Sequence, residues 1–230
     1  MSKVLVGIQA RSASTRLPGK IFLPLGTSTV LESVYHQCYV AKFPEWITQY
    51  DVKVLGPTND DKLVEFCKEK CLPFALGSHE DLVERYFTCS EGYDAIVRVT
   101  SDCPLIPTWM VEMVLTHLEK FDYVTNVNPR SFPDGFDCQA MKTAAYRFIQ
   151  INSKIREHPF YELDTDPAFF KKFEELYTIN KIVNGETLIV NPYLKSTKIS
   201  IDTQEDYERV RSIVERKHPS QPGQESIGAR

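Results

Sequence analysis

The chain has 230 residues, a net charge of −4, 42% hydrophobic residues and 25% charged residues, which suits a soluble α/β domain with at most a small appendage. The negative charge argues against a general nucleic-acid binder. We see no signal peptide and no apolar run near the roughly 20 residues of a membrane span, so we expect a cytoplasmic protein without a membrane partner. The six scattered cysteines include no CxxC pair and are expected to be structural or incidental thiols.

The first 125 residues alternate between short β-branched runs and segments with helical spacing. Strands are predicted at 3–8, 51–55, 72–76, 95–99 and 122–125, and helices at 28–41, 60–70, 79–90 and 107–120. Regular alternation of this kind predicts an α/β fold with a doubly wound, mostly parallel sheet.

The second half of the chain is less regular. A turn-rich stretch at 128–137 is followed by a predicted helix at 140–155, and residues 156–185 mix aromatic and charged side chains without a clear period. We expect strands at 188–190 and 198–201, a last helix at 205–216, and a disordered tail at 218–230, so that residues 1–217 form a single domain.

The segment from Gln9 to Lys20 begins where the first predicted strand ends. It carries the cations Arg11, Arg16 and Lys20 among small residues such as Ser14, and ligands in open α/β sheets bind beyond the carboxyl ends of the strands. Several cations and accessible amides suit a triphosphate. On composition alone a solvated surface loop is the favoured interpretation, and the segment lacks the spacing of a P-loop.

Two aspartates also follow predicted strands. Asp102 comes after the strand at 95–99, and Asp202 ends the run at 198–201. Carboxylates at strand ends are well placed to hold a hard cation. The competing interpretations are a loop or N-cap aspartate at Asp102 and an N-cap of the last helix at Asp202, where Thr203 is a second possible cap.

The order of several short motifs resembles the cytidylyltransferase family, which includes the enzymes that make CMP-Kdo and CMP-acylneuraminate and a spore-coat polysaccharide branch. The resemblance spans about residues 3–212 and is nearest to the spore-coat branch. The matching stretches are Ile-Gln-Ala-Arg-x-x-Ser-x-Arg-Leu-Pro-Gly-Lys at 8–20, Asn-Asp-Asp at 59–61, Gly-Ser at 77–78, Asp-Leu-Val-Glu-Arg-Tyr at 81–86, Val-Arg-Val-Thr-Ser-Asp-Cys-Pro-Leu-Ile at 97–106, Phe-Pro-Asp-Gly-Phe-Asp at 132–137, Arg-Glu-His at 156–158 and Ile-Asp-Thr-Gln-Glu-Asp at 201–206.

The resemblance implies a nucleotide-diphospho-sugar transferase-like fold with a small inserted acceptor and dimerisation region at about 128–185. It implies transfer of CMP from CTP to a small anionic acceptor, most simply a sugar acid, with release of pyrophosphate. Mg²⁺ is the implied cofactor, with Asp102 and Asp202 as its ligands, and a homodimer is expected. The implied catalytic residues are Arg11, Arg16, Lys20, Asp102 and Asp202, and the implied nucleotide-binding residues are Gln9, Ala10, Arg11, Ser14, Arg16, Lys20, Arg85, Thr100, Ser101 and Asp102.

The acceptor site is expected in the middle segment. Its candidates are Asp134, Asp137, Gln139, Arg156 and His158. Arg156 is the preferred group for an acceptor carboxylate or phosphate, because its planar fork matches such anions. Relatives of the spore-coat branch typically carry Glu where this chain has Gln139, which removes a negative charge beside the expected acceptor.

Two other functions remain open. A nucleotide-sugar-dependent glycosyltransferase uses a similar fold and a metal-bound diphosphate, but it is expected to show an Asp-x-Asp pair, which Ser101-Asp102-Cys103 does not provide. A degenerate nucleotide-binding protein is disfavoured, because the candidate cations and both acids are all retained.

Overall fold

The fold was analysed in a computed structural model, which describes residues 2–183 and 198–217. The strands are β1 (Ser2–Gln9), β2 (Pro24–Leu25), β3 (Ser28–Thr29), β4 (Ile47–Pro57), β5 (Phe74–Gly77), β6 (Ala95–Thr100), β7 (Tyr123–Thr125), β8 (Gln139–Lys142) and β9 (Ile179–Lys181). The helices are α1 (Val30–Tyr39), α2 (Asp61–Glu69), α3 (Leu82–Cys89), α4 (Thr108–Leu118), α5 (Thr143–Asn152), α6 (Tyr161–Thr165), α7 (Pro167–Glu174) and α8 (Gln204–Lys217), and Lys20–Phe22 form a short 3₁₀ helix.

Within the described residues one seven-stranded sheet has the order β5-β4-β1-β6-β8-β7-β9. β8 runs antiparallel to β6 and β7, and every other neighbouring pair is parallel. β2 and β3 form a separate antiparallel pair. The predicted mostly parallel sheet is confirmed, and its carboxyl edge collects the ends of β1, β4 and β6.

Both faces of the sheet are buried, which explains why the central strand β1 is apolar along its length. Val4, Val6 and Ile8 contribute to the core shared with α1, α2 and α4. Leu5 points to the opposite core, which α3, α5, α6 and α7 complete. This arrangement of helices on both faces confirms the doubly wound architecture.

The sequence-based element predictions needed corrections in the second half. The helix predicted at 140–155 is wrong at its start, because Gln139–Lys142 pair with β6 and β7 as β8 and the helix begins at Thr143. The strand predicted at 198–201 is wrong, since those residues form no ladder. The first predicted helix begins at Val30 with Thr29 as its N-cap, within the predicted range 28–41. The predicted strand at 188–190 and the predicted disordered tail at 218–230 lie outside the described residues.

The described thiols are all free, as the sequence predicts. None of the helices in the described part of the chain is both long and apolar enough to cross a membrane.

Candidate nucleotide and cation site

The loop after β1 is closed by its own backbone and by one aspartate from another element. Gly19 has a φ of 70°, and its N–H donates to the carbonyl of Ser12 at 3.2 Å. The N–H of Ser12 donates to Asp60 Oδ2 at 2.6 Å, while Asp60 Oδ1 accepts from Leu63 N at 3.1 Å and so caps α2. Asp60 therefore ties the loop to the start of a helix.

Lys20 stands at the centre of the site. Its Nζ lies 2.7 Å from Asp102 Oδ2 and 3.1 Å from Asp202 Oδ1, and it also donates to the carbonyl of Ile201 at 2.6 Å. Arg16 reaches the same acid, with its Nη2 2.8 Å from Asp202 Oδ1. Two cations from the loop and two acids distant in sequence thus form one cluster.

The two acids meet because their backbones are joined. Ile201 N donates to the carbonyl of Asp102 at 2.8 Å. One step away, Ile199 N and Ser200 N donate to the carbonyl of Asp134 at 2.8 and 3.2 Å. Gly135 makes this crossing possible: its φ is 112°, and a Cβ there would lie 2.7 Å from Ile199 Cγ1. The segment before α8 is therefore hydrogen-bonded to the backbone that follows β6 and to the turn at 132–137.

Asp202 is held as an anion by its surroundings. Burial opposes ionisation, but hydrogen bonds from Lys198 and Lys20 prevail and lower the pKa of Asp202. It is not the cap of the last helix, because Thr203 Oγ1 accepts from Asp206 N at 3.2 Å and Asp206 Oδ2 accepts from Thr203 N at 3.1 Å, the reciprocal bonds of a capping box. Of the two caps considered from the sequence, Thr203 is the correct one.

The donor set fits a hard divalent cation. Asp102 and Asp202 offer carboxylate oxygens to one common position, which Lys20 Nζ reaches with 2.7 and 3.1 Å contacts. Mg²⁺ takes one or two carboxylates and keeps waters or phosphate oxygens in its other positions. Among the described residues, no group of three or more His, Cys, Asp or Glu side chains is arranged to hold a metal ion.

The residues expected around the nucleotide line the ends of β1 and β6. Ser101 N donates to the carbonyl of Gln9 at 3.0 Å and so joins the two strand ends, and Ala10 N donates to the carbonyl of Leu55 at 3.1 Å. Thr100 Oγ1 lies 3.0 Å from Cys103 Sγ, and Ser14 Oγ accepts from Leu17 N at 3.5 Å. These positions are compatible with the predicted nucleotide contacts, which remain predictions.

Arg11 and Arg85 differ from the central cluster. Arg11 is exposed and forms no ion pair with any residue in the described ranges. Arg85 is buried, and its Nε and Nη2 donate to the carbonyls of Ser78 and His79 at 2.8 and 2.9 Å. Burial, and more weakly the charge of Arg11, lower the pKa of Arg85, so the two cations share a neighbourhood. Arg85 holds the loop before α3, and a contact with the nucleotide remains a prediction.

The predicted acceptor residues fall into separate places. Asp137 accepts a two-pronged bond from Arg130 Nη1 and Nη2, both at 2.8 Å, and Asp134 lies 3.8 Å from the same guanidinium. Arg156 Nε donates to Asp81 Oδ2 at 2.8 Å and its Nη1 to the carbonyl of Gln150 at 3.0 Å. The structure therefore gives each of these groups a partner within the chain.

Gln139 and His158 are the two predicted acceptor residues associated with Arg98 of β6. Gln139 is fully buried, and its Oε1 accepts from Arg98 Nη1 at 3.1 Å while its Nε2 donates to Asp164 Oδ2 at 3.1 Å. Burial and then the charge of Arg98 lower the pKa of His158 to about 3, so its imidazole is neutral at ordinary pH. Gln139 thus contacts Arg98 directly, and the charge of Arg98 reaches His158.

Sequence reasoning gave no role to Arg98, Asp164 or Lys198, and it quoted Asp60 only within a motif. A charged residue inside the apolar run 95–99 is the one signal that identifies Arg98, because arginine is rarely placed in a buried strand without a reason. Asp164 and Lys198 lie in stretches without a readable period, and no local pattern identifies them.

The fold and this cluster together define a class: an α/β protein whose sheet brings two cations and two acids together at its carboxyl edge, where such sheets bind ligands. The family model described as cytidylyltransferase matches residues 5–222. The chain belongs to the cytidylyltransferase family.

Individual relatives agree with this placement. The chain is 25% identical over 225 residues to a spore coat polysaccharide biosynthesis protein of Bacillus subtilis, covering 94% of this chain and 88% of that one. It is 24% identical over 257 residues to a 3-deoxy-manno-octulosonate cytidylyltransferase of Francisella tularensis, covering 93% and 99%. Among solved structures it resembles a cytidylyltransferase from Leptospira borgpetersenii, with a TM-score of 0.73, 26% identity and full coverage of both chains.

Proposed function

We propose that this chain transfers CMP from CTP to a small sugar acid. An acceptor oxygen attacks the α-phosphorus, the bond from that phosphorus to the bridging oxygen breaks, pyrophosphate leaves and the acceptor proton passes to solvent. The observation that carries the proposal is the convergence of Arg16, Lys20, Asp102 and Asp202 at one edge of the sheet.

The chain's own cations supply most of what such a transfer needs. Phosphoryl-type transfer depends on positioning and charge stabilisation more than on covalent help. Lys20 is held by two carboxylates and a carbonyl, so its ammonium is at the site before substrate arrives, and it would shift toward the phosphates once those carboxylates ligate Mg²⁺. Arg16 and Arg11 are exposed on the loop, and both would turn to the β- and γ-phosphates, Arg16 by leaving its contact with Asp202.

Asp102 and Asp202 would hold Mg²⁺, which when bound neutralises phosphate charge and polarises phosphoryl oxygens. Their approach to a common cation position supports this assignment. The backbone bond between Ile201 and Asp102 keeps the two carboxylates at a fixed separation.

The relatives support the nature of the acceptor. One is named for a spore coat polysaccharide and another for 3-deoxy-manno-octulosonate, which is a sugar acid. A carboxylate-bearing sugar is therefore the first class of acceptor to test. We also propose that the protein is a cytoplasmic homodimer. Sedimentation of the purified chain would measure its oligomeric state.

The test is pyrophosphate release from each of the four nucleoside triphosphates with Mg²⁺ and a panel of sugar acids. We expect release with CTP only, and loss of release in Asp102→Asn and Asp202→Asn. Asp51→Asn is the matched control, because Asp51 pairs in register with Leu5, four residues before the strand end that carries the site. Release from no triphosphate with any acceptor, or normal release in either site variant, would contradict the proposal.

A further inference from the structure

Arg98 is a buried cation in the middle of the sheet. It lies on β6 with a relative exposure of 6%. Its Nε donates to Gln9 Oε1 at 2.9 Å, and its Nη1 donates to Gln139 Oε1 at 3.1 Å. Both partners are neutral amide oxygens.

The charge of Arg98 has no direct counterpart in the described chain. The charge of Arg98 acts on Asp164 from a distance, but Asp164 is bonded to Gln139 and forms no ion pair with Arg98. Buried charges in proteins are normally paired with an opposite charge, because desolvation of an unpaired ion is costly. Of the five N–H groups of the guanidinium, only two are used within the described residues.

The unused nitrogen is accessible. Arg98 Nη2 has no hydrogen-bond partner in the described ranges. Only one side-chain polar atom there, Trp46 Nε1, is both fully buried and without a partner. Arg98 Nη2 is therefore not fully buried. A cation that is buried, lacks an anion and keeps an accessible donor has the properties of an anion-binding group.

Arg98 also has a suitable position relative to the transfer site. It shares a face of β6 with Thr100, and Asp102 follows four residues after Arg98, which corresponds to at most about 13 Å along an extended chain. Gln9, at the end of β1, is bonded to Arg98 by its side chain and to Ser101 by its carbonyl. A small acceptor bound at Arg98 is therefore within reach of a nucleotide at Asp102.

We propose that Arg98 binds the carboxylate of the acceptor and is the residue that selects an acid over a neutral sugar. This inference rests on the proposed transfer to a sugar acid. It replaces Arg156 as the carboxylate-binding group, since Arg156 already bonds Asp81 and a backbone carbonyl. A singly charged carboxylate suits the site better than a doubly charged phosphate, because Asp164 places a second acid behind Gln139.

Gln139 gives this selectivity its second component. Its amide accepts from Arg98 and donates to Asp164, so it separates the cation from the acid without neutralising either. A glutamate at this position would pair with Arg98 directly and compete with the acceptor. The neutral side chain keeps the guanidinium available.

The test compares Arg98→Gln and Gln139→Glu with the wild-type chain. With CTP, Mg²⁺ and 3-deoxy-manno-octulosonate or N-acetylneuraminate, both variants should raise the acceptor KM roughly 10- to 100-fold and leave the KM for CTP within about twofold. The carboxamide analogue of the acceptor should be used equally by wild type and Arg98→Gln. Arg147→Gln, an exposed arginine on α5, should change neither KM.

Direct binding gives a second readout. Calorimetry with the same two acids, on chain loaded with a non-reactive α,β-methylene analogue of CTP, should show binding by wild type and its loss in both variants. An unchanged acceptor KM in either variant, an equal rise for the carboxamide, a parallel rise in the KM for CTP, or no binding of either acid by wild type would overturn the inference. Failure of the proposed function is distinct: wild type would then bind no CTP and release no pyrophosphate.

Discussion

Replacing Lys20 by methionine removes the ammonium that joins the two acids and keeps most of the side chain's length. The Lys20 side chain is 13% exposed, and Asp102 and Asp202 are 26% and 19% exposed, so these contacts are largely shielded from water. Removing one partner of such a cluster leaves carboxylates that repel one another, which costs about 3 kcal/mol of folding stability. For a chain of this size that corresponds to a fall in Tm of roughly 6–12 °C.

The matched control is Arg16→Met, which removes a cation from the same acid. The Arg16 side chain is 63% exposed, and an exposed ion pair contributes at most about 1 kcal/mol, so its Tm should fall by less than about 4 °C. Both variants should nevertheless lose turnover, roughly 100-fold or more, because each removes a cation from the developing pyrophosphate charge.

The assay is urea unfolding at several pH values, together with pyrophosphate release. The pKa of Asp202 is lowered from 3.8 in the folded chain, with Lys20 among the causes, so the stability it contributes is present above about pH 4 and is lost as the pH falls below that value. The stability gap between wild type and Lys20→Met should therefore be largest near pH 7 and shrink in acid. Equal unfolding of Lys20→Met and Arg16→Met at pH 7 would refute the reasoning.

Three further variants test single contacts. Asp60→Ala removes the acceptor for Ser12 N and should raise the KM for CTP roughly tenfold in steady-state kinetics. Asp166→Ala removes only a helix cap and is the control. Its KM for CTP should equal that of wild type. Gly135→Ala should unfold more readily than Gly92→Ala in thermal melts, because both glycines have positive φ but a Cβ meets Ile199 at 2.7 Å only at Gly135; equal melting would contradict this packing argument. Burial raises the pKa of Asp164 from 3.8 to about 6, so wild type loses stability as the pH rises through that window. The free energy of unfolding of Asp164→Asn minus that of wild type should therefore rise by roughly 2–3 kcal/mol between pH 4 and pH 8. A difference that stays constant with pH would count against this reasoning.

The order and type of the early elements were predictable from local patterns, since β1, β4 and β6 are apolar runs that the sheet buries on both faces. β8 was not predictable in the same way. Its four residues run into α5 without a turn signal, so the helical period of α5 extends over them, and only pairing with β6 and β7 fixes them as a strand. Tertiary pairing decides the state of such a short segment.

The residues of the candidate site likewise differ in how far local sequence patterns predict them. The cation loop and Asp102 follow predicted strands, and that position at a strand end makes them candidates, which the family resemblance then favours over a solvated loop or an N-cap. Asp202 follows no strand, and it reaches the site because Ile201 donates its N–H to Asp102, a contact between segments about a hundred residues apart. The residue pattern within either segment cannot predict that hydrogen bond.

Arg98 shows how the two kinds of information combine. The sequence shows an arginine within a buried strand but cannot say whether an acid of the chain neutralises it. The structure shows that its direct partners are two amides, which is the observation behind the proposed carboxylate site. Because Asp164 bonds Gln139 instead of Arg98, the guanidinium keeps a positive charge that the proposed acceptor carboxylate would neutralise.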